Sequence, residues 1–315
     1  MKIVVGLPGS ATPESVVKLA KAGAAEFFLG YVPPLWADNL GYEFSPNRRY
    51  RSGQQVTRPE QLTALCKAAG TAPVSLTFNE HSVTSSMWER GRRILSEAVE
   101  SGVSAVIVAD LSIVPIIRKV FPEIAVHVSG DAGIYNESGV RLCRELGAER
   151  VIFPRELALL DMLETAQAVA GIGIQLEAFI LGEPCVYDGA RCFTAHGYDF
   201  PCDFCNFHTR KDLRIRGQKG GSPLDPPQEG VLDSPGAAEA WCLGKCGLCA
   251  IPVLAGGGIT HLKVPGRSSA GIVGVRLVDK VLRDGPKTSE IPGLLEAGQL
   301  CASGHLCYYP EVRDA

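Results

Sequence analysis

The stretch Ser104–Phe153, SAVIVADLSIVPIIRKVFPEIAVHVSGDAGIYNESGVRLCRELGAERVIF, decides the fold. Three short apolar runs, Ser104–Ala109, Ile124–Val128 and Arg150–Phe153, alternate with two segments of helical periodicity. One helix follows Asp110; the other spans Asn136–Leu146 and stops at Gly147, a residue suited to a helix end. Runs this short and this rich in Val and Ile read as buried strands. Strands separated by helices pair in parallel, and their faces are covered by those helices.

The same alternation extends in both directions. Towards the N-terminus lie strand candidates Lys2–Leu7, Ala25–Gly30 and Pro73–Phe78. Towards the C-terminus lie Ile172–Ile180 and Thr260–Val264. Helices are expected over Thr12–Gly23, Pro59–Ala69, Ser86–Ser101, Glu156–Val169 and Ser268–Leu282. Thr12-Pro13 supplies a cap followed by proline at the first helical position. Eight strands, most followed by a helix, predict an α/β fold, a TIM-like (β/α)8 barrel over residues 1–283, with 284–315 as a C-terminal tail. A doubly wound open sheet is the alternative. Residues 181–247 form a cysteine-rich insertion between strand 7 and helix 7, at the face where barrels place their chemistry. Within it, Gly217–Gly236 is rich in Gly, Pro and charge and reads as a surface excursion. The polar segment Tyr31–Thr57 is long for a connector and is expected to be functional or mobile.

The chain has 315 residues, a net charge of −3, 46% hydrophobic and 21% charged residues. That balance fits a globular protein and not a basic nucleic-acid binder. No apolar run is long enough for a membrane span, and the N-terminus enters a strand directly. A cytoplasmic location is expected. Eleven cysteines are the anomaly, and seven of them lie between Cys185 and Cys249. An odd total in a reducing compartment argues for metal or iron–sulfur ligation over disulfides. The candidate ligands are Cys185, Cys192, Cys202, Cys205, Cys242, Cys246 and Cys249. Spacing alone leaves zinc and iron–sulfur open. Cys66 and Cys143 sit inside amphipathic helices and read as core thiols; Cys301 and Cys307 are undecided. Cys242-x3-Cys246-x2-Cys249 has the spacing of radical SAM enzymes, but it lies near strand 7 instead of strand 1.

Polar residues at strand ends are candidates for the barrel mouth: Asn79, Asp110, His127, Arg155, Glu156, Glu177, Lys263 and Arg267. His127 points either into the barrel or towards the helices. Arg155–Glu156 could equally be structural at a helix start. Arg48, Arg49 and Arg51 read as a solvated charge run, with an anion grip as the alternative.

The run Glu177-x-Phe179-x2-Gly182-x2-Cys185-x6-Cys192 resembles the signature of the U32 collagenase-like peptidase family. Gly133–Leu157, ending in Arg155-Glu156-Leu157, and Leu248–Arg267, ending in Lys263-x2-Gly266-Arg267, are similar to two further blocks of that family. Gly6–Gly30 also fits, so the resemblance covers most of residues 1–285. Departures are Glu183-Pro184 before the first cysteine, the x2 spacing of Cys202 and Cys205 with Asn206 after them, and the extra Cys242 and Cys246.

The resemblance implies an iron–sulfur protein like the UbiU/UbiV-type members, which work in oxygen-independent hydroxylation. It implies a [4Fe-4S] cluster on Cys185, Cys192, Cys202 or Cys205, and Cys249, with zinc as an alternative or a second site. The expected substrate is a small aromatic or quinone-like molecule; tRNA or ribosomal RNA bases are the alternative. A homologous partner subunit or an electron donor is also implied. Peptidase activity is disfavoured, because H-E-x-x-H and G-x-S-x-G are both absent. A non-catalytic metal-binding subunit remains a third reading.

Overall fold

The computed structural model describes residues 1–33, 46–49, 54–182, 190, 245–265, 271–294 and 307–313. Eight parallel strands close into a barrel. They are β1 (Lys2–Gly6), β2 (Ala24–Tyr31), β3 (Val74–Phe78), β4 (Ala105–Val108), β5 (Ala125–Val128), β6 (Arg150–Ile152), β7 (Gln175–Phe179) and β8 (His261–Val264). Each pairs with the next in sequence, and β8 closes onto β1 from Lys2↔His261 to Val5↔Val264. The helices are α1 (Pro13–Lys21), α2 (Pro59–Ala69), α3 (Ser85–Glu100), α4 (Val114–Val120), α5 (Glu137–Glu145), α6 (Leu159–Ala168), α7 (Ile251–Gly256) and α8 (Gly271–Asp284). The closed barrel expected from the alternation is therefore the fold, and the open sheet is not.

Local chemistry explains the boundaries. Thr12, Thr84 and Asn136 cap α1, α3 and α5 by accepting from the backbone amides of Ser15, Met87 and Gly139. Helix α6 begins three residues later than the sequence suggests. Arg155 and Glu156 occupy a turn closed by the Leu157 amide on the Pro154 carbonyl, and Ala158 is still extended. Strand β7 also starts later, because Gly171 and Gly173 take positive φ in the preceding turn.

The aliphatic core lies between strands and helices. Val5, Leu29, Leu76, Val106, Val126, Val151, Leu176 and Leu262 point outward and meet Val16, Leu62, Leu95, Ile117, Val140, Met162, Leu254 and Val275 of the helices in one cluster. The other face of each strand lines the barrel. In register, Glu26, Ser75, Thr77, His127, Arg150, Gln175, Glu177, His261 and Lys263 all fall on that inner face. The barrel is thus apolar outside and carries its ionic groups inside, interspersed with Val4, Ile107 and Ile152.

Beyond β7 the chain forms a short antiparallel pairing, Lys245↔Gly182 and Cys246↔Leu181. Gly182 makes this turn at φ 110°, with Pro265 so near that a Cβ would sit 2.8 Å from its ring. Gln55–Val56 extends β2 as a short parallel strand.

Candidate functional site: the ionic barrel interior and its mouth

The inner face is held by a chain of charges on four strands. Arg150 bridges two carboxylates, with Nη2 2.8 Å from Glu26 Oε2 and Nη1 2.9 Å from Glu177 Oε2. Lys263 Nζ lies 2.7 Å from the other Glu177 oxygen. His261 Nε2 lies 3.1 Å from Glu26 Oε1, and its Nδ1 is 2.7 Å from Thr260 Oγ1. Gln175 Oε1 accepts from Arg150 at 2.8 and 3.0 Å. All the charged side chains of this set are almost fully buried, whereas Lys2, which reaches Glu26 from the N-terminal end, is exposed.

Burial raises a carboxyl pKa and opposite charges lower it. At Glu177 burial acts upward, but Lys263 and Arg150 outweigh it and bring the carboxyl down to about 2. Glu26 is likewise buried, yet the His261 hydrogen bond and the Arg150 charge hold it well below the usual carboxylate range. His127 lies inside the barrel, where burial and then the Arg150 charge bring it down to about 3. Its imidazole is neutral at pH 7. Burial also lowers Lys263, with Glu177 opposing.

Above this layer the C-terminal strand ends surround a small, partly open cleft. Its walls include Phe28, Thr77, Asn79, Ser129, Phe179 and Lys263. The Lys263 ammonium sits 3.8 Å from the centre of the Phe28 ring, and the Arg155 guanidinium 4.1 Å from that of Phe179. These are cation–π distances. Asn79 Nδ2 donates to Asp131 Oδ2 at 2.7 Å, and its Oδ1 accepts from the Arg48 amide at 3.3 Å. Arg49 reaches across to donate to the Leu7 carbonyl at 2.6 Å. An ammonium has three N–H donors. Among the described residues Lys263 has one hydrogen-bond acceptor, Glu177, and one ring face, Phe28.

The structure brings together Glu177, His127 and Lys263 in the interior, and Arg155 and Asn79 at the mouth. Glu156 is exposed on the turn before α6. Asp110 has a structural part: Oδ1 accepts from the Ser112 amide at 2.9 Å, and Oδ2 from the Val83 amide at 2.7 Å. The expected solvated run differs most. Arg48 and Arg49 are 5% and 2% exposed, folded in under the mouth with Asn47. Their side chains have acceptors at hand, Asp131 at 3.8 Å for Arg48 and Leu7 O for Arg49, so burial is tolerated. Glu26, Arg150 and His261 were not singled out by sequence; His261 is marked by the alternate polar position Lys263, whereas Glu26 and Arg150 are the single polar inward residues of their strands and carry no such signal.

Cys246 and Cys249 are half-buried on the turn that returns beside Gly182, three residues before Cys185 in sequence. Cys185, Cys192, Cys202, Cys205, Cys242 and Cys301, with Arg51 and Arg267, lie outside the described residues. Cys66 and Cys143 are buried in α2 and α5, and burial pushes both thiols up to about 11. They are core residues.

A closed parallel barrel with an ion-paired interior and an aromatic, cationic cleft at its C-terminal mouth defines a TIM-like barrel protein. The chain belongs to peptidase family U32, whose sequence model matches residues 11–283. It is 33% identical over 106 residues to tRNA hydroxylation protein P of Escherichia coli (strain K12), covering 34% of this chain and 23% of that protein. It is 33% identical over 93 residues to tRNA hydroxylation protein P1 of Bacillus subtilis (strain 168), covering 30% and 21%. The chain therefore matches under a quarter of the length of these curated relatives. Among solved structures, the U32 peptidase Mk0906 aligns with a TM-score of 0.44 at 12% identity, covering 62% of this chain and 74% of that one. A 2,3-dimethylmalate lyase aligns with a TM-score of 0.43 at 12% identity, covering 96% and 94%. No described helix is long and apolar enough to cross a membrane.

Proposed function

We propose that this protein takes part in tRNA hydroxylation without molecular oxygen, with the C-terminal mouth of the barrel as the site where the base is held. The observation that carries this reading is the 33% identity over 106 residues to a tRNA hydroxylation protein. The cleft is compatible with it: aromatic rings and cations line one wall, next to a lysine with donor capacity to spare. In this reading Lys263 donates an N–H to a carbonyl oxygen of the base. Glu177, fixed by Arg150, aims that ammonium. Phe28 and Phe179 exclude water from the ring plane, and His127, held neutral by burial, lies in the barrel interior outside the cleft lining.

We assign a [4Fe-4S] cluster to Cys185, Cys192, Cys202 and Cys249, with zinc as the alternative. The support on this chain is the donor chemistry: the Lys245↔Gly182 pairing brings the Cys246–Cys249 turn to the point where the cysteine segment leaves β7. Such a cluster supplies single-electron transfer without oxygen. A small aromatic or quinone-like substrate is the second reading, favoured by the net charge of −3, which gives no sequence-wide attraction to RNA. Peptidase chemistry lacks its motifs and is not proposed.

The test is nucleoside mass spectrometry of total tRNA from cells with and without the gene. Loss of a hydroxylated nucleoside, restored by the wild-type gene, is expected. An unchanged nucleoside profile overturns the tRNA reading and leaves the small-molecule one.

A further inference from the structure

The last described segment, residues 307–313, lies against the end of β7 and the cysteine turn. Tyr309 Oη, buried, donates to the Phe179 carbonyl at 2.7 Å. Its ring packs so closely on Gly247 that a Cβ there would stand 2.8 Å from the ring edge. Tyr308 Oη donates to the Gly182 carbonyl at 3.1 Å, and its amide to the Cys246 carbonyl at 2.9 Å. Cys307 forms a parallel bridge with Cys246. The Tyr308 ring lies 6.5 Å from that of Phe179, with the Lys245 ammonium 5.8 Å from it on the turn side. Glu311 Oε1 accepts from the Leu159 amide at 3.4 Å, supplying the start of α6 with the cap that Ala158 lacks.

These contacts converge on two features. One is Phe179, which walls the cleft and underlies Arg155. The other is the Lys245–Ala250 turn, whose Gly247 amide is itself tied to the Ile180 carbonyl at 2.7 Å. The pairing of Leu181–Gly182 with Lys245–Cys246 already links the exit of β7 to this turn, and residues 307–313 tie Phe179, Gly182 and Cys246 together a second time. We infer that residues 307–313 are a clamp at the barrel mouth, and that Tyr309 is a positioning residue setting the Phe179 wall and the Cys246–Cys249 turn relative to each other. Tyr309 acts through these groups and touches no substrate. The chemistry is local: one phenol hydroxyl closes the exit of β7, and one ring fixes a glycine turn carrying two thiols.

The inference stands apart from the substrate reading and is tested without it. Tyr309→Phe keeps the ring and deletes the hydroxyl. In the full-length protein as isolated, hydrogen exchange is measured at residues 178–182 and 245–250, with β4 (105–108) as reference. Alkylation of Cys246 by iodoacetamide is measured against buried Cys143. Loss of one buried hydrogen bond should speed exchange at both segments and alkylation at Cys246 by about three- to tenfold. The β4 reference and Cys143 should not move. Unchanged rates, or a rise shared by β4 and Cys143, overturn the clamp. If Tyr309→Phe does not fold, Tyr308→Phe, which deletes the bond to Gly182, is read by the same criteria.

Discussion

Arg150 Nη1 stands 2.9 Å from Glu177 Oε2, and the same guanidinium reaches Glu26 on the far side of the β8 strand end. One cation thus satisfies two buried carboxylates drawn from β2 and β7. Removing it leaves two partly uncompensated charges in a low-dielectric interior. Arg150→Met is expected to destabilise the fold by about 3–5 kcal/mol, the range for breaking a buried pair from one side. Urea denaturation followed by far-UV circular dichroism checks this; a loss below about 1 kcal/mol would mean the interior is hydrated.

Lys263 separates binding from folding. Lys263→Arg keeps the charge near Glu177, whereas Lys263→Met removes the donor and leaves Glu177 to Arg150 alone. Complementation of a gene deletion should fail with Met and return partly with Arg, while both proteins accumulate. Full tRNA hydroxylation by the Met variant would remove Lys263 from the proposed site.

Acid stability should fall in two stages. His127 folds with a pKa lowered to about 3 from an ordinary value near 6.5. Between those values the unfolded chain binds a proton that the folded chain refuses, so stability declines as pH drops from about 6.5. Glu177 titrates near 2 in the fold instead of 4.5. Its contribution is present above 4.5 and is lost as pH falls from about 4.5 towards 2. Thermal melts from pH 8 to 3 should show both limbs, and His127→Gln should flatten the upper one only.

The thiolates make a separate prediction. Anaerobically purified protein should be brown, with iron and acid-labile sulfide in stoichiometric amounts. Cys249→Ala should lose most of both, whereas Cys143→Ala should lose neither. Stoichiometric zinc in a colourless protein would favour the alternative metal.

Gly182→Ala addresses the exit of β7. At φ 110° an alanine is strained, and its methyl would press on Pro265. A cost of about 1–3 kcal/mol is expected in equilibrium unfolding. A neutral effect would show that this turn relaxes freely.

The eight strands were legible because their outward faces carry mostly Val, Ile, Leu or Phe at alternate positions. The inward face was legible only in part. Glu177 and Lys263 fall late in the expected strands Ile172–Ile180 and Thr260–Val264 and so read as mouth residues. Glu26 hides inside AEFFLG, Arg150 opens its strand where charge is ordinary, and His261 follows a threonine in a short run. Period-two polarity marks His127 and Ser129, Gln175 and Glu177, and His261 and Lys263, but not Glu26 or Arg150, which are the lone polar residues on the inner faces of their strands. The buried arginines of 47–49 were illegible because a charge run is normally solvated; their acceptors, Leu7 O and Asp131, are about 40 and 80 residues away in sequence.

The ionic lining also bears on how the barrel assembles. Aliphatic layers can be built strand by strand, each addition gaining a little. Here Glu26 finds His261, and Glu177 finds Lys263, only when the last strand joins the first seven. The His261 and Lys263 pairings arrive together at closure, whereas Arg150–Glu177 joins neighbouring strands beforehand, and closure is the step that removes all these charges from water. Ring closure should accordingly be the cooperative event of folding, with contacts spanning more than 230 residues of chain. A fragment ending before β8 should therefore stay unfolded, and supplying β8 on a separate chain should restore order in one step.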